Sequence, residues 1–361
     1  MNDKGLTRVV VAMSGGVDSS VAAAILVDHG YDVIGMMLRL WSEPGRGMYN
    51  RCCNPDSMQL ARRVAGQLGI PFYVIDAREI FRETVVKSFI DGYLGGVTPN
   101  PCLVCNRKVR WSYLLKRAFA IGAEYMATGH YARLHYTKNG KVELLRAIDR
   151  NKDQSYVLHV LNQEKLNHAL FPLGKYTKDQ VRQLARDFNL PVADRADSQD
   201  LCFLGDGDYR QFLSRNAPQS ETPGPILNRN KEVLGRHQGL AFYTIGQRRG
   251  LGISSSQALY VLEKDVPENA LIVGYKDELG QASLIAKNVN WITGEPPKKP
   301  IRAAVKIRYK AREVAGIVTP QNNHNFHIRF DSPLRDITPG QAAVIYQGER
   351  CLGGGIIAPS D

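Results

Sequence analysis

The first apolar run, Val9-Val-Val-Ala-Met13, is β-branched and lacks polar alternation, which predicts a strand buried on both faces. It stops at Ser14-Gly15-Gly16. From Asp18 and Ser19 onward the apolar positions switch to helical spacing, at Val21, Ala24, Ile25 and Val27, until Gly30 ends the pattern. Tyr31 to Leu38 predicts a second buried strand, and Phe72 to Asp76 and Tyr125 to Thr128 two further strands. Between them, Asn54 and Pro55 have the order of an N-cap and first helical residue for a helix running to Leu68, and Gly69 and Pro71 close it. Glu79 to Tyr93 predicts the next helix, and Trp41 to Arg51 a polar, Gly-rich loop. A helix beginning at Cys105 would bury Val109, Leu114, Leu115, Ala118 and Phe119. Ser155 to Leu190 reads as helical, with Thr177-Lys-Asp-Gln180 as a capping box and Asn189 with Pro191 as the stop. This alternation predicts a doubly wound α/β domain whose ligands bind at the carboxyl ends of the strands.

The texture changes near Asn216, where Pro and Gly begin to punctuate short alternating runs. The expected organisation is an α/β domain over residues 1–210, a small β-rich domain over 211–283 and a closed β-barrel over 284–361. No internal repeat or low-complexity tract interrupts it. Within the last part, Ile301 to Arg312 alternates: Ile301, Ala303, Val305, Ile307 and Tyr309 on one face, and Arg302, Lys306, Arg308, Lys310 and Arg312 on the other. A solvated strand face is the bland reading. Five like charges with no acid before Glu313 favour contact with nucleic-acid phosphate, and Gln247-Arg248-Arg249 adds a second basic loop.

The turn at residues 14–19 brings chemistry into the picture. A strand, a tight Gly turn and a helix start aim backbone N–H groups and a helix dipole at one small volume, which suits a phosphate. Ser14 and Ser19 offer hydroxyl donors, and Asp18 is a candidate magnesium ligand beside the phosphates. Neither a Walker A loop nor G-x-G-x-x-G is present. Ser-Gly-Gly-Val-Asp-Ser resembles the signature of the PP-loop ATP pyrophosphatases, which implies cleavage of ATP between the α and β phosphates.

Charge and cysteines narrow the partners. The chain of 361 residues carries 47 Lys+Arg against 35 Asp+Glu, a formal +12, which favours a polyanion. No apolar run approaches the ~18 residues of a membrane span. The N-terminus has no apolar signal region, so a cytoplasmic protein with no membrane partner is expected. Six cysteines in a chain of this length fit a reducing compartment. Cys102 and Cys105 form a C-x-x-C within Thr98–Asn106, and Cys202 lies in Asp197-Ser-Gln-Asp-Leu-Cys-Phe203. A thiolate at a helix start is favoured by the dipole. Arg107, Lys108 and Arg110 in the same first turn call for a compensating anion. Two thiols facing each other over an ATP site suit sulfur transfer, one carrying a persulfide and the other releasing sulfide or closing a disulfide. Structural zinc is the competing reading, with Cys52, Cys53 or His130 as a fourth ligand. Cys351 reads as a buried small apolar residue.

Seven segments then occur in order: SGGVDS at 14–19, TPNPCLVCN at 98–106, TGHYA at 128–132, KDQSY at 152–156, DSQDLCF at 197–203, GQRRGLG at 246–252 and CLGGGII at 351–357. Together they resemble the bacterial-type tRNA-specific 2-thiouridylase family across nearly the whole chain. The resemblance implies ATP-dependent conversion of the wobble uridine, position 34, to 2-thiouridine in the tRNAs for Lys, Glu and Gln. ATP would lie on Ala12, Met13, Ser14, Gly15, Gly16, Val17, Asp18, Ser19, Leu38 and Gly129. Cys105 would be the nucleophile and Cys202 the persulfide carrier, with Asn100, Pro101 and Cys102 facing the target base. His130, Lys152, Asp153, Gln154, Arg308, Tyr309 and Gln341 would touch tRNA. A persulfide-donating protein is an implied partner, and a monomer is expected. Many members have Asp where this chain has Cys102, which unsettles that residue's proton-accepting role. An iron–sulfur cluster on Cys102, Cys105 and Cys202 stands beside the persulfide and zinc readings. Two other functions fit the loop alone: an amide-forming synthetase, and a tRNA-binding protein with a degenerate nucleotide site.

Overall fold

The computed structural model describes residues 6–44, 54–196, 201–204, 208–322 and 324–359. Strands β1 (Arg8–Ala12), β2 (Asp32–Arg39), β3 (Phe72–Asp76), β4 (Tyr125–Thr128) and the two-residue β7 (Ala169–Leu170) form one parallel sheet in the order β3-β2-β1-β4-β7. Val9, Val10 and Val11 are fully buried, as a strand covered on both faces requires. Chain order reverses between β1 and β4, so the crevice at their carboxyl ends is the ligand position of a doubly wound sheet.

Helix α1 (Val17–Asp28) is buried on nearly every side, because it lies between the sheet and the Lys178–Asp187 helix. Helix α2 (Pro55–Gln67) starts as its sequence dictates: the Asn54 side chain accepts from Ser57 N–H at 2.7 Å and Pro55 opens the first turn. Two longer helices, 78–94 and 101–120, each contain a wider π turn, at Arg82–Val86 and Cys105–Leu114.

Three expectations are corrected. Residues 155–190 are not one helical stretch. They hold short helices at Ser155–Leu158 and Gln163–Asn167, strand β7, a single turn at Pro172–Lys175 and the Lys178–Asp187 helix. Pro172 removes a backbone donor and breaks the run. The Thr177/Gln180 capping box is formed in both directions. Phe119 faces outward, 39% exposed, and Trp111 takes the core position that the apolar spacing did not single out. The basic strand is shorter than its alternation, β13 spanning Ile301–Lys306 and the chain turning at 308–311.

The middle of the chain is a small sheet of β8 (Gly224–Leu227), β9 (Val233–His237), β10 (Tyr260–Asp265) and β11 (Ala270–Gly274), ordered β10-β11-β8-β9. The C-terminal part closes as a barrel. Strands β12 (Gln281–Trp291), β15 (Phe326–Leu334), β14 (Val314–Pro320), β13, β16 (Ala342–Gln347) and β17 (Arg350–Ile357) follow one another, and β17 pairs back to β12. A hairpin of the first domain, β5 (Ala132–Tyr136) and β6 (Val142–Arg146), joins this barrel through β17. The α/β domain and the barrel thus share backbone hydrogen bonds.

Candidate active site

The chain must reverse between Ala12 and Val17 at the crevice. Gly15 does so with φ +73°, and a Cβ there would overlap the Ser57 carbonyl oxygen, so only glycine fits. Gly16 is the N-cap of α1 and makes no side-chain capping bond, which leaves the first-turn N–H groups to a ligand. Ser19 lines the crevice and also braces the loop. Its hydroxyl accepts from Ser14 N–H at 3.1 Å and donates to the Gly16 carbonyl at 3.2 Å, holding the loop's shape. Gly129, after β4, packs on the same helix start: a Cβ there would stand 2.7 Å from Ser19 N.

These elements enclose a cavity of about 500 Å³, a size suited to a nucleotide. Nine of the ten residues expected to bind ATP line it; Gly15 stands behind the loop, against α2. Leu38, Leu40, Leu114 and Arg110 supply one wall, and Lys152, Gln154, Tyr309 and Lys310 lie on its lining as well. Asp18 Oδ1 accepts from Tyr131 Oη at 2.8 Å and from Lys178 Nζ at 2.7 Å. One carboxylate plus substrate phosphates is an ordinary magnesium site, so Asp18 fits that role through its carboxylate, already oriented by these two donors. The sequence reading missed Lys178, Tyr131 and Arg195. Tyr131 stood within TGHYA and Lys178 within the capping box, but neither residue's partner is near it in sequence.

His130 is buried, its ring between Thr128 Oγ1 at 2.8 Å and Arg110 Nη1 at 3.3 Å. Arginine can only donate, so Nε2 accepts and Nδ1 carries the proton toward Thr128. Burial, with the Arg110 charge adding to it, pushes its pKa down to about 3. His130, expected to touch tRNA, is therefore a neutral residue of the cavity lining. Asp153 is also spent internally, accepting from Ala147 N, Ser155 N and Ser155 Oγ at 3.0, 3.2 and 2.8 Å. Gln154 Oε1 accepts from Tyr131 N at 3.0 Å. Gln341 Nε2 donates to the Thr98 carbonyl at 2.9 Å, and Thr98 N donates to Pro339 O at 2.8 Å. The barrel thereby holds the stretch that leads to Asn100, Pro101 and Cys102. Arg308 is paired with Asp336. Tyr309 packs against Tyr156 with ring centroids 5.9 Å apart, and burial raises its pKa to about 12.

The cysteines are placed differently from the expectation. The helix starts at Pro101, capped by Asn100 accepting from Cys102 N at 3.1 Å, so Cys102 is the exposed first-turn thiol. Cys105 lies a turn deeper and is buried, as Arg107, Lys108 and Arg110 are also past the first turn. Cys105 belongs to an apolar cluster with Leu40, Phe81, Phe89, Val109 and Phe203, and Cys202 packs against the same cluster. Phe203 anchors that segment edge-on against Phe89 and Phe81, at 5.2 and 5.9 Å between centroids. Leu38 and Leu40 join this cluster to the nucleotide cavity, since they belong to both. Among the described residues, Cys102, Cys105 and Cys202 do not assemble into a metal-holding group. Cys52 and Cys53 lie outside the described residues. Cys351 is buried and apolar in its surroundings, which push its thiol pKa up. Among the described residues no helix is long and apolar enough to cross a membrane.

A nucleotide crevice of PP-loop geometry on a parallel sheet, followed in the chain by a small β domain and a β-barrel, defines the class. Residues 7–206 match a family profile described as a tRNA methyl transferase HUP domain, residues 210–275 the PRC-barrel domain of that group, and residues 281–357 an aminomethyltransferase beta-barrel domain. The tRNA-specific 2-thiouridylase MnmA of Pelotomaculum thermopropionicum is 47% identical over 97% of this chain and 97% of its own. Its namesake in Natranaerobius thermophilus is also 47% identical, with 97% of each chain covered. That of Moorella thermoacetica is 48% identical over 96% of this chain and 98% of its own. The chain belongs to the tRNA-specific 2-thiouridylase family, the tRNA sulfurtransferases.

Proposed function

We propose that the protein uses ATP to replace the C2 oxygen of uridine 34 with sulfur in the tRNAs for Lys, Glu and Gln. The observation that carries this reading is the sharing of Leu38 and Leu40 between the nucleotide cavity and the cluster holding Cys105 and Cys202. The uridine C2 oxygen attacks the α-phosphorus, diphosphate leaves, and the inert carbonyl oxygen becomes part of an AMP leaving group. The first-turn N–H groups of α1 hold the phosphates, and Asp18 would hold magnesium, which neutralises charge on the departing diphosphate. The outer sulfur of a Cys202 persulfide attacks C2 and AMP departs. The Cys105 thiolate then attacks Cys202 Sγ, closing a disulfide and leaving the sulfur on C2. A separate persulfide donor loads Cys202, and a dithiol reductant reopens the disulfide. Asn100, Pro101 and Cys102, held by Gln341 through Thr98, face the base.

Nucleoside mass spectrometry of tRNA incubated with enzyme, ATP and a persulfide source tests the reading. The wild type should yield 2-thiouridine, and Cys105→Ser and Cys202→Ser should each lower it by about 10³-fold or more while ATP binding persists. Undiminished product from either variant refutes the assignment.

A further inference from the structure

Arg195 belongs to no motif of the sequence, yet its guanidinium reaches the phosphate-binding loop. Nη1 donates to the Gly15 carbonyl at 2.6 Å and Nη2 donates to Ser57 Oγ at 2.7 Å. The arm is itself held, because Arg182 Nη1 donates to the carbonyls of Ala193 and Arg195, both at 3.1 Å. Ser57 is fully buried, and its backbone fills the space where a Gly15 side chain would be.

In a trans peptide the carbonyl and the following N–H point in opposite directions. No described peptide bond is cis, so the atom opposite the Gly15 carbonyl is the Gly16 N–H. Gly16 lines the nucleotide cavity and Gly15 does not. A peptide flanked by two glycines meets little steric resistance to flipping, since neither residue has a Cβ. Flipped, it would present a carbonyl oxygen to the anion and remove one donor from the nest.

We propose that Arg195, with Ser57, is a positioning residue that latches the Gly15–Gly16 peptide in the phosphate-binding orientation. The latch acts on the polyphosphate and not on the adenosine, because it bears on a single peptide at the start of α1. This inference rests on the reading of the cavity as an ATP site.

Equilibrium dialysis of the full chain with labelled ATP and labelled adenosine tests it, on wild type, Arg195→Ala, Arg195→Lys and Ser57→Ala, with thermal midpoints recorded for each. Arg195→Ala should weaken ATP about tenfold or more and leave adenosine within about twofold. Arg195→Lys should recover part of the loss, since an ammonium can reach one of the two acceptors, and Ser57→Ala should weaken ATP about threefold. Equal losses of ATP and adenosine in Arg195→Ala, or no loss of either, overturn the latch. Normal ATP binding by Ser57→Ala beside a large defect in Arg195→Ala also overturns it, because the arginine would then act by its charge alone. A wild type that binds no ATP defeats the nucleotide reading itself, a different outcome from variants that match a wild type that binds.

Discussion

His130 and His159 are neutral residues in the folded protein, for the same cause. Burial lowers their pKa values to about 3 and about 4, with Arg110 and Arg107 adding to the effect and a hydrogen bond from His159 to the Tyr156 carbonyl opposing it. An unfolded histidine titrates near 6.5, so below that pH the unfolded chain takes up protons that the native chain refuses. The stabilisation is complete above pH 6.5 and is lost as pH falls toward the folded values. For His130 the loss between pH 7 and pH 5 is about 2 kcal/mol by linkage. Urea midpoints at the two pH values should show it, and His130→Gln should remove His130's share. An identical pH dependence in that variant would contradict the assignment. At this scale the sequence exposed only what is contiguous. Ser14 to Ser19 could be read because loop and helix start are neighbours. Lys178 and Arg195 could not, since their partners Asp18 and Gly15 are 160 and 180 positions away.

The elements that were legible are those decided by local rules. Asn54–Pro55, the Thr177/Gln180 box, the buried strand β1 and the half-exposed edge strand β3 follow from capping and apolar pattern alone. The β5–β6 hairpin went unread although Asn139-Gly140 carried a turn signal, because its second strand is completed by β17, about 200 residues later. That junction depends on Arg146, which is 7% exposed, lies over the Tyr346 ring at 3.7 Å and is paired to Glu313 with Nη2 at 2.7 Å. Arg146 is buried while the Glu313 side chain is about one-third exposed, so removing the carboxylate leaves a buried guanidinium short of its charged partner, with water able to replace part of the loss. Glu313→Gln should therefore cost about 1–2 kcal/mol in a denaturant titration. Exposed pairs such as Lys87–Asp91 should cost less than about 1 kcal/mol when broken. Equal costs at the two sites would contradict this account of how the hairpin is fastened to the barrel.

Across the whole molecule the net charge of +12 is distributed less simply than the alternation of residues 301–312 implies. Arg302 and Arg308 are neutralised by Asp331 and Asp336 on neighbouring parts of the barrel, and Lys306 is half-buried over Tyr309. Linear sequence hides this, because those acids are more than twenty positions away. Lys310, exposed at the cavity's rim, is better placed to meet a phosphate. Lys310→Glu should weaken tRNA binding and lower the salt slope by about one unit. Arg302→Gln, which breaks an existing pair, should leave the slope nearly unchanged in filter binding between 50 and 200 mM salt. Matching slopes for the two variants would contradict this partition. The barrel also reaches the stretch before Cys102, through Gln341 and the backbone of Thr98, and the proposed function requires nucleotide, thiols and that stretch to converge at one sheet edge.

That convergence is tested most directly by a single turnover without reductant, followed by peptide mapping of the Cys105–Cys202 disulfide. The account predicts one such disulfide per 2-thiouridine formed, and none when ATP is omitted. Thiolated tRNA appearing with both thiols still reduced, or a disulfide that forms equally without ATP, would contradict it.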